Sequence, residues 1–439
     1  MRSIYLLILV LLIGQTAYGQ EVLRLSEEAC VARALEQNHG LKAAHAYVEG
    51  AHAAFRSVRA NRLFQVQSRA SFLRFSPNIP DFRIAFPTPA GIREQVIAPA
   101  ILNRYALQLE VLQPIFTGGA LKHTERATHF QAQAAEAQYE DAAVELAYRV
   151  REAFWGLYEA EHILQAKEHA VKHLEAQLED VEHFMAQGLA AEQHLLAVRA
   201  QLAQARSERL TAAYAVEQAR VALNRLLGLP PEQDVVLQAD TSVLRPVMDV
   251  ELRHVVAGRP EVRQLQARLK SAEARKDVAR AAFFPQVYVK GTVDYARPNP
   301  YIFPLEDRFE ATWNVGVLVT LPLWKWGQRV SDVERARSQV QALREQLADL
   351  REQVRMEVVQ QKLRMEQMYA GIGAAREALL AAQKTFEVAR ARYREGLALN
   401  SEVLEAEAML RKTEAAYHHA IAAFKRAEAQ WKRTLGRIR

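Results

Sequence analysis

A single cysteine, Cys30, stands among 439 residues, so no intrachain disulfide can staple the fold. Proline and glycine are also scarce, at 15 and 18. That excludes a collagen-like or loop-dominated chain. Charge of one sign is missing too. The 57 Lys and Arg and 51 Asp and Glu leave a formal net charge of +6, with both signs scattered along the chain. No basic block with interleaved aromatics occurs, so nucleic acid is not read as a partner. There is no phosphate-binding glycine loop with a lysine, no G-x-S-x-G elbow and no H-E-x-x-H. Without a catalytic or cofactor constellation, the chain is not read as an enzyme and needs no cofactor. Beyond the N-terminus no segment approaches 18 uninterrupted apolar residues, so no transmembrane helix is expected.

What is present begins with an address. Arg2 precedes an apolar run from Ile4 to Ile13, too short to span a bilayer as a helix. Ala17 and Gly19 then put small residues at the −3 and −1 positions before Gln20. Residues 1–19 are read as a secretory signal peptide, cleaved after Gly19. Cys30 follows Glu27, Glu28 and Ala29, a context unlike a lipidation site, so no lipid anchor is expected. The rest is rich in Ala, Glu, Gln, Arg and Leu, the composition of long helices.

The chain is a tandem repeat, and a missed repeat would mis-assign the fold. Gln113-Pro114-Ile115-Phe116-Thr117-Gly118-Gly119 answers to Leu321-Pro322-Leu323-Trp324-Lys325-Trp326-Gly327, the prolines 322 − 114 = 208 apart. Gly188-Leu189-Ala190 recurs as Gly396-Leu397-Ala398, and Leu227-Gly228 as Leu435-Gly436, both at the same offset. Earlier landmarks repeat at 221: Asn38-His39-Gly40-Leu41 with Arg259-Pro260-Glu261-Val262, and Phe64-Gln65-Val66 with Pro285-Gln286-Val287. The difference, 221 − 208 = 13, falls between Phe64 and Pro114, where prolines cluster, and reads as a surface loop. The expected division is a first repeat over 20–228, a proline-bearing linker over 229–250 and a second repeat over 251–439.

Each repeat reads as a helix, a strand pair, a very long helix and a returning helix. The strand pairs are placed at 64–117 and 285–325, the long helices at 119–187 and 328–395, and the returning helices at 190–228 and 398–436. In the strands the period changes to two. Leu107, Leu109 and Val111 alternate with Gln108 and Glu110, and Val289, Val293 and Tyr295 alternate with Lys290, Thr292 and Asp294. Strands of about 10 residues, apolar on one side only, suit a transmembrane β-barrel. Trp313, Trp324 and Trp326 lie in or beside the fourth strand, as befits a membrane interface. The long segments lack proline, and each would form a helix of roughly 100 Å packed as a coiled coil. Four strands cannot close a barrel, and an open edge cannot face lipid, so the chain must oligomerise. A trimer would supply twelve strands.

Together these features resemble the outer-membrane efflux protein family, the TolC-like channels, over essentially the whole mature chain. The strongest motifs are Gln113 to Gly119 and Gly396-Leu397 followed by Glu402-Val403-Leu404, with Arg259-Pro260-Glu261-Val262 and Leu227-Gly228-Leu229-Pro230 beside them. The resemblance implies a mainly α subunit with four membrane strands. Three such chains would form a twelve-stranded barrel in outer-membrane lipid and an α-helical tunnel in the periplasm. It implies a passive export duct whose partners are an inner-membrane transporter and a periplasmic adaptor, the membrane fusion protein. Phe64, Phe184 and His194 depart from the family pattern, making the first tip less typical than the second. The competing expectation is a periplasmic adaptor or coiled-coil scaffold.

Candidate sites follow from this layout. Gly188, Leu189, Arg392, Gly396 and Leu397 are the candidate adaptor-docking residues at the helix tips. Glu179, Asp180, Glu182 and Glu387 would form acidic rings if they faced a threefold lumen, and such rings select cations. Pro114, Gly118, Gly119, Pro322 and Gly327 mark the strand-to-helix junctions. His162, His169 and His173 share one helical stripe, and the last two have metal-ligand spacing, but no second cluster completes a site. His418 and His419 are adjacent, point to different helix faces and are set aside.

Overall fold

A computed structural model describes residues 23–89, 91–187, 191–245, 248, 250–395, 397–398 and 400–438. The expected signal peptide lies outside the described residues. Strand β1 (Leu23–Ser26) leads into helices α1 (Glu27–Gln37) and α2 (His39–Ala60). Strands β2 (Gln65–Arg74), β3 (Phe82–Thr88), β4 (Gly91–Ala98) and β5 (Asn103–Phe116) precede the long helix α3 (Ala120–Ala186) and the returning helix α4 (Glu192–Leu227). Then come β6 (Val235–Gln238), α5 (Leu252–Gly258), α6 (Pro260–Ala281), β7 (Gln286–Arg297) and β8 (Glu310–Thr320). Helices α7 (Gln328–Arg394) and α8 (Asn400–Thr434) complete the chain.

The period of the repeat is written into the helices. Both α3 and α7 have 67 residues, and their starts (328 − 120) and ends (394 − 186) are each 208 apart. Helix termini carry the expected chemistry. Ser26 caps α1, its hydroxyl accepting from the Ala29 N–H at 3.2 Å, with Glu27 and Glu28 in the first turn. Gly228 ends α4 at φ +68°, a left-handed cap that glycine adopts without steric cost. Gly436 repeats that conformation after α8, at φ +69°.

The chain divides into two compact units. One comprises residues up to 46, 137–263 and 349–439; the other comprises 47–136 and 264–348. The first unit holds a core in which Phe154, Trp155, Leu157 and Tyr158 of α3 meet Cys30, Val31 and Ala34 of α1, Leu223 and Leu227 of α4, and Ile421 and Ala422 of α8. An ion pair is sunk into this core. Glu27 accepts from Arg151 Nε at 2.9 Å and from Trp155 Nε1 at 2.8 Å. Arg151 also donates to the Ile438 carbonyl. Beside the core β1 and β6 pair in parallel, Leu23 opposite Val235 and Leu25 opposite Leu237. The stretch 229–250 thus contains a strand that ties it back to the start of the first repeat.

The second unit holds the four-stranded antiparallel sheet, in the order β2-β5-β7-β8. The proline-rich insert between β2 and β5 is not a featureless loop: β3 and β4 form their own antiparallel hairpin, Thr88 opposite Gly91. Proline did not prevent it, because Pro87 sits on a two-stranded ribbon, where a missing ladder donor can face solvent. Among the described residues no helix is long and apolar enough to cross a membrane.

Candidate functional site: an inverted sheet and the helix tips

Cross-strand register sorts the sheet into rows. One polar row is Gln67, Glu110, Thr292 and Asn314; the next is Arg69, Gln108, Asp294 and Thr312. The rows that alternate with them are mainly apolar: Val66, Val111, Gly291 and Val315, and Ser68, Leu109, Val293 and Trp313. Exposure runs opposite to that of a soluble sheet. Leu107, Leu109, Val111, Val293 and Tyr295 are exposed, while Gln108 and Glu110 are sheltered and Thr292 is buried. Edge strand β8 exposes Trp313 at 76% and Val317 at 66%.

The sheltered polar face is wired to itself. Lys290 Nζ lies 2.8 Å from Glu110 Oε2, and Gln67 Nε2 donates to Glu110 Oε1 at 3.1 Å. Gln108 Nε2 donates to Asp294 Oδ1 at 2.8 Å. Such a sheet has a polar interior and an apolar exterior, the arrangement that lipid demands. Strands β2 and β8 each have one neighbour, so both sheet edges carry unpaired backbone groups.

The strand-to-helix junctions use left-handed backbone twice over. Gly118 and Gly119 have φ +61° and +86° before α3, and Trp326 and Gly327 have φ +47° and +79° before α7. Gly118 is packed tightly: a Cβ there would meet Phe284 Cβ at 2.6 Å and the Ala281 carbonyl oxygen at 2.7 Å. Gly327 has nothing within 4 Å. Pro114 lies opposite Tyr288 just before a register shift, after which the ladder ends with Phe116 opposite Val287. Pro322 follows the end of β8. Gln113 Nε2 donates to the Arg62 carbonyl at 3.1 Å, fastening β5 to the chain after α2.

At the tips, Gly188, Leu189 and Gly396 lie outside the described residues. Leu397 is exposed at 64%, and its N–H donates to the Arg392 carbonyl at 2.8 Å. Arg392 Nη2 returns a bond to the Leu397 carbonyl at 3.2 Å, and Nη1 lies 3.9 Å from Glu402. Arg392 therefore braces the turn. The acidic candidates are not one set. Glu182 accepts from Arg199 of α4 at 2.9 Å, and Glu387 accepts from Lys384 at 3.2 Å, so both are compensated locally. Glu179 is exposed and Asp180 half-buried.

The histidine stripe splits. His169 and His173 line a groove between α3 and α8. His162 instead stacks on His418 of α8, the rings 3.7 Å apart and 3° from parallel. Among the described residues no three His, Cys, Asp or Glu side chains come together as a metal site. His418, set aside on the sequence, is engaged because both adjacent histidines reach α3: His418 meets Tyr158, and His419 meets Glu159. Residue adjacency separates two side chains by about 100° on a helix, which is too little to stop both from touching one neighbour.

An inverted sheet with open edges, joined to paired 67-residue helices, defines an outer-membrane export channel subunit rather than an enzyme. The chain belongs to the outer membrane efflux protein family, whose model matches residues 30–229 and 252–437. No curated protein matches it in sequence. Among solved structures it is similar to the CmeC outer membrane channel of Campylobacter jejuni, with 19% identity and a TM-score of 0.76, covering 93% of this chain and 85% of that one. The MtrE outer membrane channel of Neisseria gonorrhoeae, in its open state, gives 21% identity and 0.74, covering 94% and 89%. The outer membrane protein VceC of Vibrio cholerae gives 20% and 0.72, covering 93% and 96%. The competing reading as an adaptor or scaffold is not favoured, since the family match spans both repeats.

Proposed function

We propose that three copies of this chain close a twelve-stranded barrel and a helical duct, and that the duct passively exports cargo supplied by an inner-membrane transporter through a periplasmic adaptor. The observation that carries this reading is the sheet turned inside out, with its apolar rows outward and both edges unpaired. Closing β8 of one copy on β2 of the next would satisfy those edges, which lipid cannot. Apolar side chains left exposed on α4 (Leu210, Tyr214, Val221) and α7 (Met356, Val359, Leu363) give neighbouring copies surfaces to bury. The tip residues Gly188, Leu189, Arg392, Gly396 and Leu397 are the proposed adaptor contacts.

The test is the protein mass of the detergent-extracted chain, by light scattering with detergent subtracted, followed by conductance across a lipid bilayer. A mass of three chains and discrete conductance steps are expected. A monodisperse monomer that stays in solution without detergent would refute the reading.

A further inference from the structure

The core of the first unit stops abruptly along α3 and α8. Its members on α3 end at Tyr158, and those on α8 are Ile421 and Ala422, with Tyr417 packed against them. From Ile163 on α3 and Ala415 on α8, the two helices instead line an open groove of about 610 Å³. His162 and His418 occupy the boundary.

Their contact is close and specific. Besides the 3.7 Å stack, the Tyr158 ring meets His162 edge-on at 4.4 Å, and the Tyr158 hydroxyl lies 2.7 Å from His418 Nδ1. Two neutral imidazoles stack favourably, but two imidazolium ions at this distance repel. The surroundings offer little relief. On α3, Tyr158 and Gln165 face the pair; on α8, Tyr417 and Glu414 do. Glu414 already accepts from Arg411 at 3.0 Å. Glu159, the nearby carboxylate on α3, is taken by His419 and by Arg426 at 2.6 Å. One shared carboxylate thus stands against two incoming protons. Beyond the pair, the groove walls carry Lys167 (paired with Glu208), His169, Lys172 and His173 on α3, and Glu407, Arg411 and Lys412 on α8.

We propose that His162 and His418 form a proton-operated clasp, which holds α3 to α8 at neutral pH and lets the segments beyond it part in acid. This rests on the channel reading for its purpose, since it adds regulation to the duct, but not for its mechanics. Burial depresses the pKa of both rings below the ordinary histidine value. A depressed folded-state value means that the stabilisation is complete above the ordinary histidine pKa of about 6.5 and is lost as pH falls through the folded values. Mutual repulsion separates the two protonations into coupled steps, so release follows the second proton.

The test is the distance between spin labels on Ala166→Cys and Ala415→Cys, in the full chain in detergent, measured from about pH 7.5 down to about pH 5. The native Cys30 is buried, which keeps the labels on the introduced sites. In the otherwise unaltered chain the distance should lengthen reversibly across this range. The pair His162→Phe with His418→Phe keeps two rings and removes the protons, so its distance should stay constant. Glu414→Gln withdraws the one shared counter-charge, so its transition should move to lower pH. A distance that ignores pH in the unaltered chain overturns the clasp. So does an equal change in the phenylalanine pair. Neither outcome bears on the mass or conductance tests of the channel.

Discussion

Gly118→Ala perturbs the strand-to-helix junction at its most crowded point. Two costs add. A left-handed φ of +61° is strained for any residue with a Cβ, by roughly 1–2 kcal/mol. The new Cβ would also sit 2.7 Å from the Ala281 carbonyl oxygen, a backbone atom that cannot swing aside. Forcing such a group into packed space costs typically about 1–3 kcal/mol. The sum is a loss of about 2–5 kcal/mol. Gly327→Ala is the internal control. It shares the left-handed backbone, at φ +79°, but meets nothing within 4 Å, so only the strain of roughly 1–2 kcal/mol applies. Thermal unfolding of the two variants in detergent, followed by circular dichroism, should therefore rank Gly118→Ala well below Gly327→Ala. Equal losses would show that conformational strain alone matters and that the close approach of the α6 end is not a constraint.

Other consequences can be measured on the same preparations. Glu27→Ala leaves Arg151 buried without its carboxylate and should destabilise the first unit by about 3 kcal/mol, read by chemical denaturation. Val317→Arg places a charge on the outward face of β8 and should cost about 2–4 kcal/mol of membrane insertion if that strand lies near mid-bilayer; recovery of assembled protein from membranes is the assay. Cys30 is buried with its thiol pushed up to about 12, so it should resist iodoacetamide at neutral pH and react only as the protein unfolds. A Cys30 that alkylates readily in the folded protein would contradict the packing of α1.

The long elements were legible because their signals are long. A period of 208 and uninterrupted helical composition located α3 and α7, and alternation located β5 and β7. Alternation alone could not say which face is exposed; that needed the three-dimensional structure, which shelters Gln108, Glu110 and Thr292 and exposes Leu107, Leu109 and Val111. The β3–β4 hairpin was hidden by proline, whose local signal outweighed a weak strand pattern. The ladder between β1 and β6 joins four-residue strands more than two hundred positions apart, too short for any periodicity to register. His418 was missed for another reason: spacing along one helix says nothing about a histidine on a second helix. A companion to His162 could be found only by knowing which helices are neighbours.

A sheet with its greasy side outward poses a problem of delivery before it serves any purpose in place. Trp313, Val315, Val317 and Val319 are mostly exposed, and among the described residues the strand that bears them has a free edge. In water those strands would find each other before they found lipid. The first unit, by contrast, has its own buried core. Covering that face takes lipid and completing that edge takes another strand, whereas the helical unit draws its core from its own chain.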